Sequence, residues 1–311
     1  MSVLPESVSY EAFVALHAQP LAPWKAALEE VRARHALPPG EYRRFLLGKN
    51  AVFALGDVVI KLVPPLWSGD ARREAAALWL VRGRLSLPTP EVVAAGELGT
   101  WRYVVTARLP GRPLREVWWD LQGTERARLA EEQAALMREV QTIHPDPAAA
   151  AGLHFDWPGL LLVQGLELPR ELRAPPALVE GAAAFLEGVF RAGPGFARPH
   201  VLLHGDLNFL NLLCERRSGR VTLTALIDWS DARLGPPAHD LISPAVNQFR
   251  RDPAARRAWS AALGLTPDDV REATARALLY YPDEWAGLLA DLGVEGAGDW
   301  PEVGAALFGS P

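Results

Sequence analysis

Val201-Leu202-Leu203-His204-Gly205-Asp206-Leu207-Asn208-Phe209-Leu210-Asn211-Leu212-Leu213 decides how the rest of the chain is read. One apolar run leads into a polar loop and a second leads out of it. A carboxylate, Asp206, and an amide, Asn211, lie in the loop with four residues between them. After the turn Arg217-Ser218-Gly219-Arg220 comes a further apolar run, Leu223–Ile227, which ends at Asp228-Trp229. Short strands flanking polar loops bring Asp206, Asn211 and Asp228 to neighbouring strand ends. Three turn-forming Asx residues are the bland reading of such a stretch. The order of these three, with strands on both sides, favours a chemical one. A carboxylate that can orient a hydroxyl and take its proton, next to hard oxygens suited to Mg²⁺ on a triphosphate, is the set that phosphoryl transfer requires.

Upstream, Val58-Val59-Ile60-Lys61 sets a lysine on the inner face of an apolar strand, where it must have an anionic partner. Glu74, in the helix that follows, is the candidate. Only Lys25, Lys49 and Lys61 are lysines among the 32 basic residues, so a chance lysine in this slot is rare. Around it the chain reads as a meander. Phe45-Leu46-Leu47, Ala51–Leu55 and Val58–Val63 are short apolar runs parted by Gly48-Lys49-Asn50 and Gly56-Asp57. Ser68 is placed to cap a helix running to Arg82. Strands over 91–98 and 101–109 follow, turning at Gly99-Thr100. Helical periodicity marks 10–36, broken at Pro20 and Pro23, and then 124–143, 176–191, 254–263 and 268–289. The expected fold is α+β in two lobes. Residues 1–109 form a small antiparallel-sheet N-lobe with leading helices, five strands and one helix. Residues 110–311 form a larger, mainly helical C-lobe.

Composition narrows the function. The net charge of −5 offers no footprint for nucleic acid or an anionic membrane. No stretch approaches the ~18 apolar residues of a membrane span, and Met1–Glu6 lacks a signal-peptide pattern, so a cytoplasmic protein is expected. The single cysteine, Cys214, excludes an internal disulfide and reads as a buried thiol.

His204-Gly205-Asp206 with Asn211, then Ile227-Asp228-Trp229, with Lys61 and Glu74 upstream, resemble the aminoglycoside phosphotransferase and choline kinase group of protein-kinase-like enzymes. Ile227-Asp228-Trp229-Ser230-Asp231-Ala232 is most similar to the hygromycin-type members. The resemblance covers about residues 42–245 and implies a bilobal protein-kinase-like fold. It implies that Asp206 is the catalytic base, that Asn211 and Asp228 bind Mg²⁺, and that Lys61, paired with Glu74, contacts the phosphates of ATP. Val59 would line the nucleotide site, Ala107 and Leu109 would offer backbone groups to adenine, and Gly48 and Asn50 would cover the phosphates. Two departures stand out. The phosphate loop lacks Gly-x-Gly-x-x-Gly, and Ala107 replaces an acidic hinge residue, which leaves ATP or GTP open.

The acceptor is less legible. Asp231, Asp283 and Glu284 are carboxylates that could face a polyamine-like antibiotic, although each also reads as an ordinary surface acid. A protein kinase is the alternative, but 11 residues between Asp228 and Asp240 leave no room for an activation segment, and no Ala-Pro-Glu follows. A regulatory nucleotide-binding protein without turnover would have lost one of Asp206, Asn211 or Asp228. His204 reads as structural, since no Ser or Cys partner is in view, and Asp240 as an anchor of the loop through capping of the following helix. The partners expected are a nucleoside triphosphate and a small-molecule acceptor, with no nucleic acid or membrane; oligomeric state is open.

Overall fold

Alternation along three strands builds the first half. In the computed structural model, which describes residues 4–46, 48–191 and 200–309, β1 (Tyr42–Phe45), β2 (Ala51–Leu55), β3 (Val58–Val63), β4 (Val92–Leu98) and β5 (Trp101–Ala107) form one antiparallel sheet in the order β1-β2-β3-β5-β4. Phe53, Leu55, Ile60, Leu62, Tyr103 and Val105 face one side. There they pack with Trp24, Leu28 and Val31 of the helix α2 (Lys25–Arg34) and its entry turn, and with Phe13 of α1 (Tyr10–His17). The period of two sends Val59, Lys61 and Val63 to the opposite face.

That second face meets α3 (Gly69–Val81), which carries Glu74. Ser68 makes no capping hydrogen bond. The 3₁₀ turn Pro65–Trp67 runs straight into the helix and leaves Ser68 helical rather than extended. Leu78 and Val81 of this helix belong to the core that continues into the helical half. The expected strand over Phe45-Leu46-Leu47 is also corrected. β1 ends at Phe45, Leu46 is exposed, and Leu47 lies outside the described residues.

From Arg112 the chain turns helical. β6 (Arg112–Pro113) pairs with β8 (Leu212–Arg217), which pairs with β9 (Arg220–Leu226); β7 (Val201–Leu203) pairs with β10 (Arg233–Gly235). Around these lie α4 (Arg115–Trp118), α5 (Gly123–Gln141), α6 (Pro147–Ala151), α7 (Trp157–Glu171), α8 (Pro176–Phe190), α9 (Pro253–Leu263), α10 (Pro267–Tyr280), α11 (Trp285–Leu292) and α12 (Trp300–Phe308). The periodicity over 268–289 is two helices, because Pro282 cannot continue the first one. α7 and α12 lay outside the sequence reading. Fully buried Trp118, Trp157, Trp229, Trp259, Trp285 and Trp300 fill this half, and Cys214 is buried as expected. No helix among the described residues is long and apolar enough to cross a membrane.

Candidate active site

The loop between β7 and β8 is held by its own backbone. Asp240, fully buried, accepts the N–H of His204 at 3.1 Å and of Gly205 at 2.7 Å. Asp240 therefore anchors the loop directly instead of capping a helix. Burial pushes its carboxyl up to about 6, against the pull of those two N–H groups. His204 Nδ1 accepts the Asp206 N–H at 3.2 Å, which leaves Nε2 to donate to Ile227 O at 3.1 Å. This is a neutral structural histidine. Burial lowers it to about 4. Gly205 has φ +83°, and a Cβ there would lie 2.3 Å from the Asp231 carbonyl oxygen, so no other residue fits.

Asp206 emerges from this loop with both oxygens engaged. Oδ1 accepts from Asn208 Nδ2 at 2.7 Å and from Ser243 Oγ at 2.5 Å, and Oδ2 accepts from Asn211 Nδ2 at 2.8 Å. Desolvation raises its pKa to about 7, with the Ser243 hydrogen bond working the other way. A base poised near neutral pH is suited to accept a hydroxyl proton.

Across from it, Lys61 Nζ donates to Glu74 Oε1 and to Asp228 Oδ1, each at 2.8 Å. Burial opposes the ammonium charge, but Asp228 and Glu74 outweigh it and hold the lysine cationic. Burial likewise acts against charge on Asp228, and Lys61 reverses it, keeping that carboxyl far below its usual range. Asp228 sits at φ +61°, a left-handed conformation that Asp tolerates better than most residues. Its Oδ1 also accepts from Ser230 Oγ at 2.8 Å.

The metal expectation passes a donor test. Asn211 spends its Nδ2 on the Asp206 carbonyl and carboxylate, both at 2.8 Å, so its amide oxygen is uncommitted among the described hydrogen bonds. Asp228 Oδ2 is likewise uncommitted. One amide and one carboxylate oxygen, completed by phosphates and water, suit Mg²⁺. No cluster of three or more His, Cys, Asp or Glu suited to a metal occurs among the described residues.

The remaining predicted residues fall in different places. Val59 pairs with Thr106 across the sheet, on the same face as Lys61. Ala107 already donates its N–H to Glu91 O at 2.8 Å, so only its carbonyl is left for a base; Leu109 makes no backbone hydrogen bond among the described residues. Gly48 adopts φ +98°. Asn50 is buried, its side-chain oxygen taken by Trp67 Nε1 at 2.8 Å, an arrangement that leaves its Nδ2 as a donor. Asp231 is held by Lys49 at 3.3 Å and by Arg233 at 3.2 Å; Glu284 is held by Arg250 at 3.2 Å. Asp283 is exposed, and no described hydrogen bond or ion pair ties it to the others.

Sequence reasoning missed Ser243, Asn208 and the bridge made by Lys49. Lys49 also reaches Asp70 at 2.6 Å, so it spans from α3 to Asp231. No local pattern marks Ser243, which arrives 37 residues after Asp206.

Known proteins match this arrangement. The chain resembles the solved GDP complex of aminoglycoside 2'-phosphotransferase-IIIa at 18% identity and TM-score 0.67, covering 92% of this chain and 97% of that one. The streptomycin–ATP complex of APH(2")-IIa matches at 19% identity and TM-score 0.58, over 91% and 98% of the two chains. Macrolide 2'-phosphotransferase MphH from Brachybacterium faecium, an apoenzyme, matches at 25% identity and TM-score 0.57, over 92% and 98%. No curated protein sequence matches. The APH model, described as the phosphotransferase enzyme family, matches residues 41–278. By that match over most of its length, the chain belongs to the phosphotransferase enzyme family.

Proposed function

We propose that this protein transfers the γ-phosphoryl group of ATP or GTP to a hydroxyl of a small polyhydroxylated molecule of the aminoglycoside or macrolide type. The observation that carries the reading is the Lys61 bridge. A single buried ammonium binds a carboxylate of α3 and a carboxylate that follows β9, beside an Asp206 with a pKa near 7. Residues 1–109 serve the nucleotide and residues 110–311 the metal, base and acceptor. A cytoplasmic location, where nucleoside triphosphates are supplied, accompanies this reading.

Lys61 meets the phosphates while Glu74 keeps it aimed. Val59 lies against the base, whose edge meets the Ala107 carbonyl and the Leu109 backbone, and Gly48 and Asn50 cover the phosphates with main chain. Asn211 Oδ1 and Asp228 Oδ2 would hold Mg²⁺, which would supply positive charge to offset that of the phosphates. Ser243 and Asn208 fix Asp206 Oδ1, so Oδ2 receives the proton of the attacking hydroxyl. Little covalent chemistry is asked of the protein, and positioning supplies most of the rate.

The test is product mass after incubation with Mg²⁺, ATP or GTP, and a panel of antibiotic and sugar acceptors. One acceptor gains a phosphoryl group, and Asp206→Ala abolishes the gain while nucleotide binding persists. Asp206→Ala activity within about tenfold of the parent sinks the assignment, since a positioned base contributes ~10²-fold or more.

A further inference from the structure

Beyond Asp206, the helical half carries polar groups that neither nucleotide nor metal accounts for. A π-helical turn, Pro244–Phe249, follows Ser243 directly. Within it Asn247 is exposed while Val246 and Gln248 on either side are buried. Single π turns occur frequently at functional sites. Asn247 Nδ2 donates to Ser243 Oγ and to the Tyr281 hydroxyl oxygen, each at 3.3 Å, and Ser243 Oγ donates to Asp206 Oδ1. Asn247 and Tyr281 are thus reached from the base through one serine. Among the described hydrogen bonds, Asn247 Oδ1 and the Tyr281 hydroxyl proton are not committed. They present an acceptor and a donor side by side, the complement of a hydroxyl.

Asp283 apart, the carboxylates along this wall are already paired. Asp231 is paired with Lys49 and Arg233, Glu284 with Arg250, and Asp291 with Arg250 at 3.0 Å and Arg251 at 2.7 Å. An ammonium group brought by a substrate to Asp231, Glu284 or Asp291 would have to displace an arginine or lysine, exchanging one ion pair for another with little gain, and only Asp283 is left to meet a single charge. The geometry points to an acceptor that is polyhydroxylated and carries at most one positive charge, held by hydrogen bonds from Asn247 and Tyr281. The inference rests on the phosphotransfer reading and narrows its substrate class. Arg250 is the specificity device: it keeps Glu284 unavailable to a polycation, and shares Asp291 with Arg251.

Calorimetric binding to the full chain separates the two classes, with erythromycin, which bears one amine, and kanamycin, which bears several, as probes. In the parent protein erythromycin binds at least about tenfold tighter than kanamycin, and raising salt from about 50 to 500 mM changes its Kd by less than about threefold, because no uncompensated charge pair is screened. Asn247→Ala weakens erythromycin by about tenfold. Arg250→Ala frees Glu284, while Asp291 stays paired with Arg251, and tightens kanamycin by about threefold or more. Kanamycin binding the parent as tightly as erythromycin, or showing no gain with Arg250→Ala, overturns the inference. Phosphorylated product is scored separately. Its absence for every acceptor and both nucleotides, with the binding pattern intact, removes the phosphotransfer reading alone.

Discussion

Replacing Lys61 by methionine separates what the lysine does for the fold from what it does for the reaction. The side chain is 9% exposed, and that of its partner Glu74 is 6% exposed. Lys61→Met keeps the volume and removes the charge, which leaves Glu74 buried without a counter-ion and facing Asp228. Breaking a buried pair from one side costs roughly 3–5 kcal/mol. At about 2–4 °C per kcal/mol for a chain somewhat smaller than this one, that is a Tm loss on the order of 10 °C. The second variant, Lys61→Met with Glu74→Gln, puts a neutral amide against the methionine and recovers at least about half of the loss. The sign with pH also follows. A lone buried carboxylate has a folded pKa above its unfolded value, so it binds protons more readily in the native state. The Lys61→Met defect therefore shrinks as pH falls from about 7.5 towards 5. Turnover drops by about 10²-fold or more in both variants, because neither restores a cation to the phosphates. Urea unfolding followed by tryptophan fluorescence, alongside product formation, gives all four numbers. Stability of Lys61→Met within about 1 kcal/mol of the parent at pH 7.5 would refute the buried triad. Turnover regained in the double variant would refute the phosphate role.

Three further outcomes are expected. His204 falls from 6.5 to about 4 on burial, so the unfolded chain protonates first. Its contribution is fully present above about pH 6.5 and is lost as pH falls through about 4; at about 1.4 kcal/mol per pKa unit this amounts to ~3 kcal/mol. Because the raised carboxyls of Asp206 and Asp240 act in the opposite direction, the readout is the stability of the parent minus that of His204→Gln at pH 7 and pH 4.5, and a difference independent of pH defeats it. Asp240→Ala strands two buried N–H groups and costs roughly 2–5 kcal/mol in chemical unfolding, whereas Asp240→Asn, which keeps an acceptor oxygen, costs less; equal costs would show that the anchor is not the hydrogen bonds. Gly205→Ala places a Cβ against the Asp231 carbonyl and loses product formation by about tenfold or more with nucleotide binding retained; a fully active Gly205→Ala would mean that the loop moves freely.

Legibility followed locality. His204 to Asn211 and Ile227 to Trp229 could be read because strand, loop and strand are contiguous there, and one hairpin brings them together. Lys61 and Glu74 were legible because a strand of period two and the next helix share a face. Ser243 and Asp240 were opaque or misjudged for the converse reason. Their partners lie 35 to 37 residues away, and no periodicity encodes a serine that turns onto a carboxylate. Lys49 meets Asp231 across 182 residues, and the charge state of the acceptor wall depends on such pairings, so the sequence could nominate Asp231 and Glu284 but not show them already neutralised. Propensity misled in smaller ways. Ser68 looked like a cap until a 3₁₀ turn ran into it, and Pro282 split one expected helix in two.

Asp240 grips the catalytic loop through main-chain N–H groups, which every residue type except proline supplies. The residues proposed to face the acceptor stand on a different support, a π turn and the break between α10 and α11, linked to Asp206 through Ser243. Substitution at Arg250 or Tyr281, neither of which has a described hydrogen bond to Ser243 or Asp206, would therefore alter recognition with that anchor left in place. A lineage built this way would be free to change its target while inheriting its chemistry, and a laboratory library confined to Arg250 and Tyr281 would sample new acceptors at little risk to turnover.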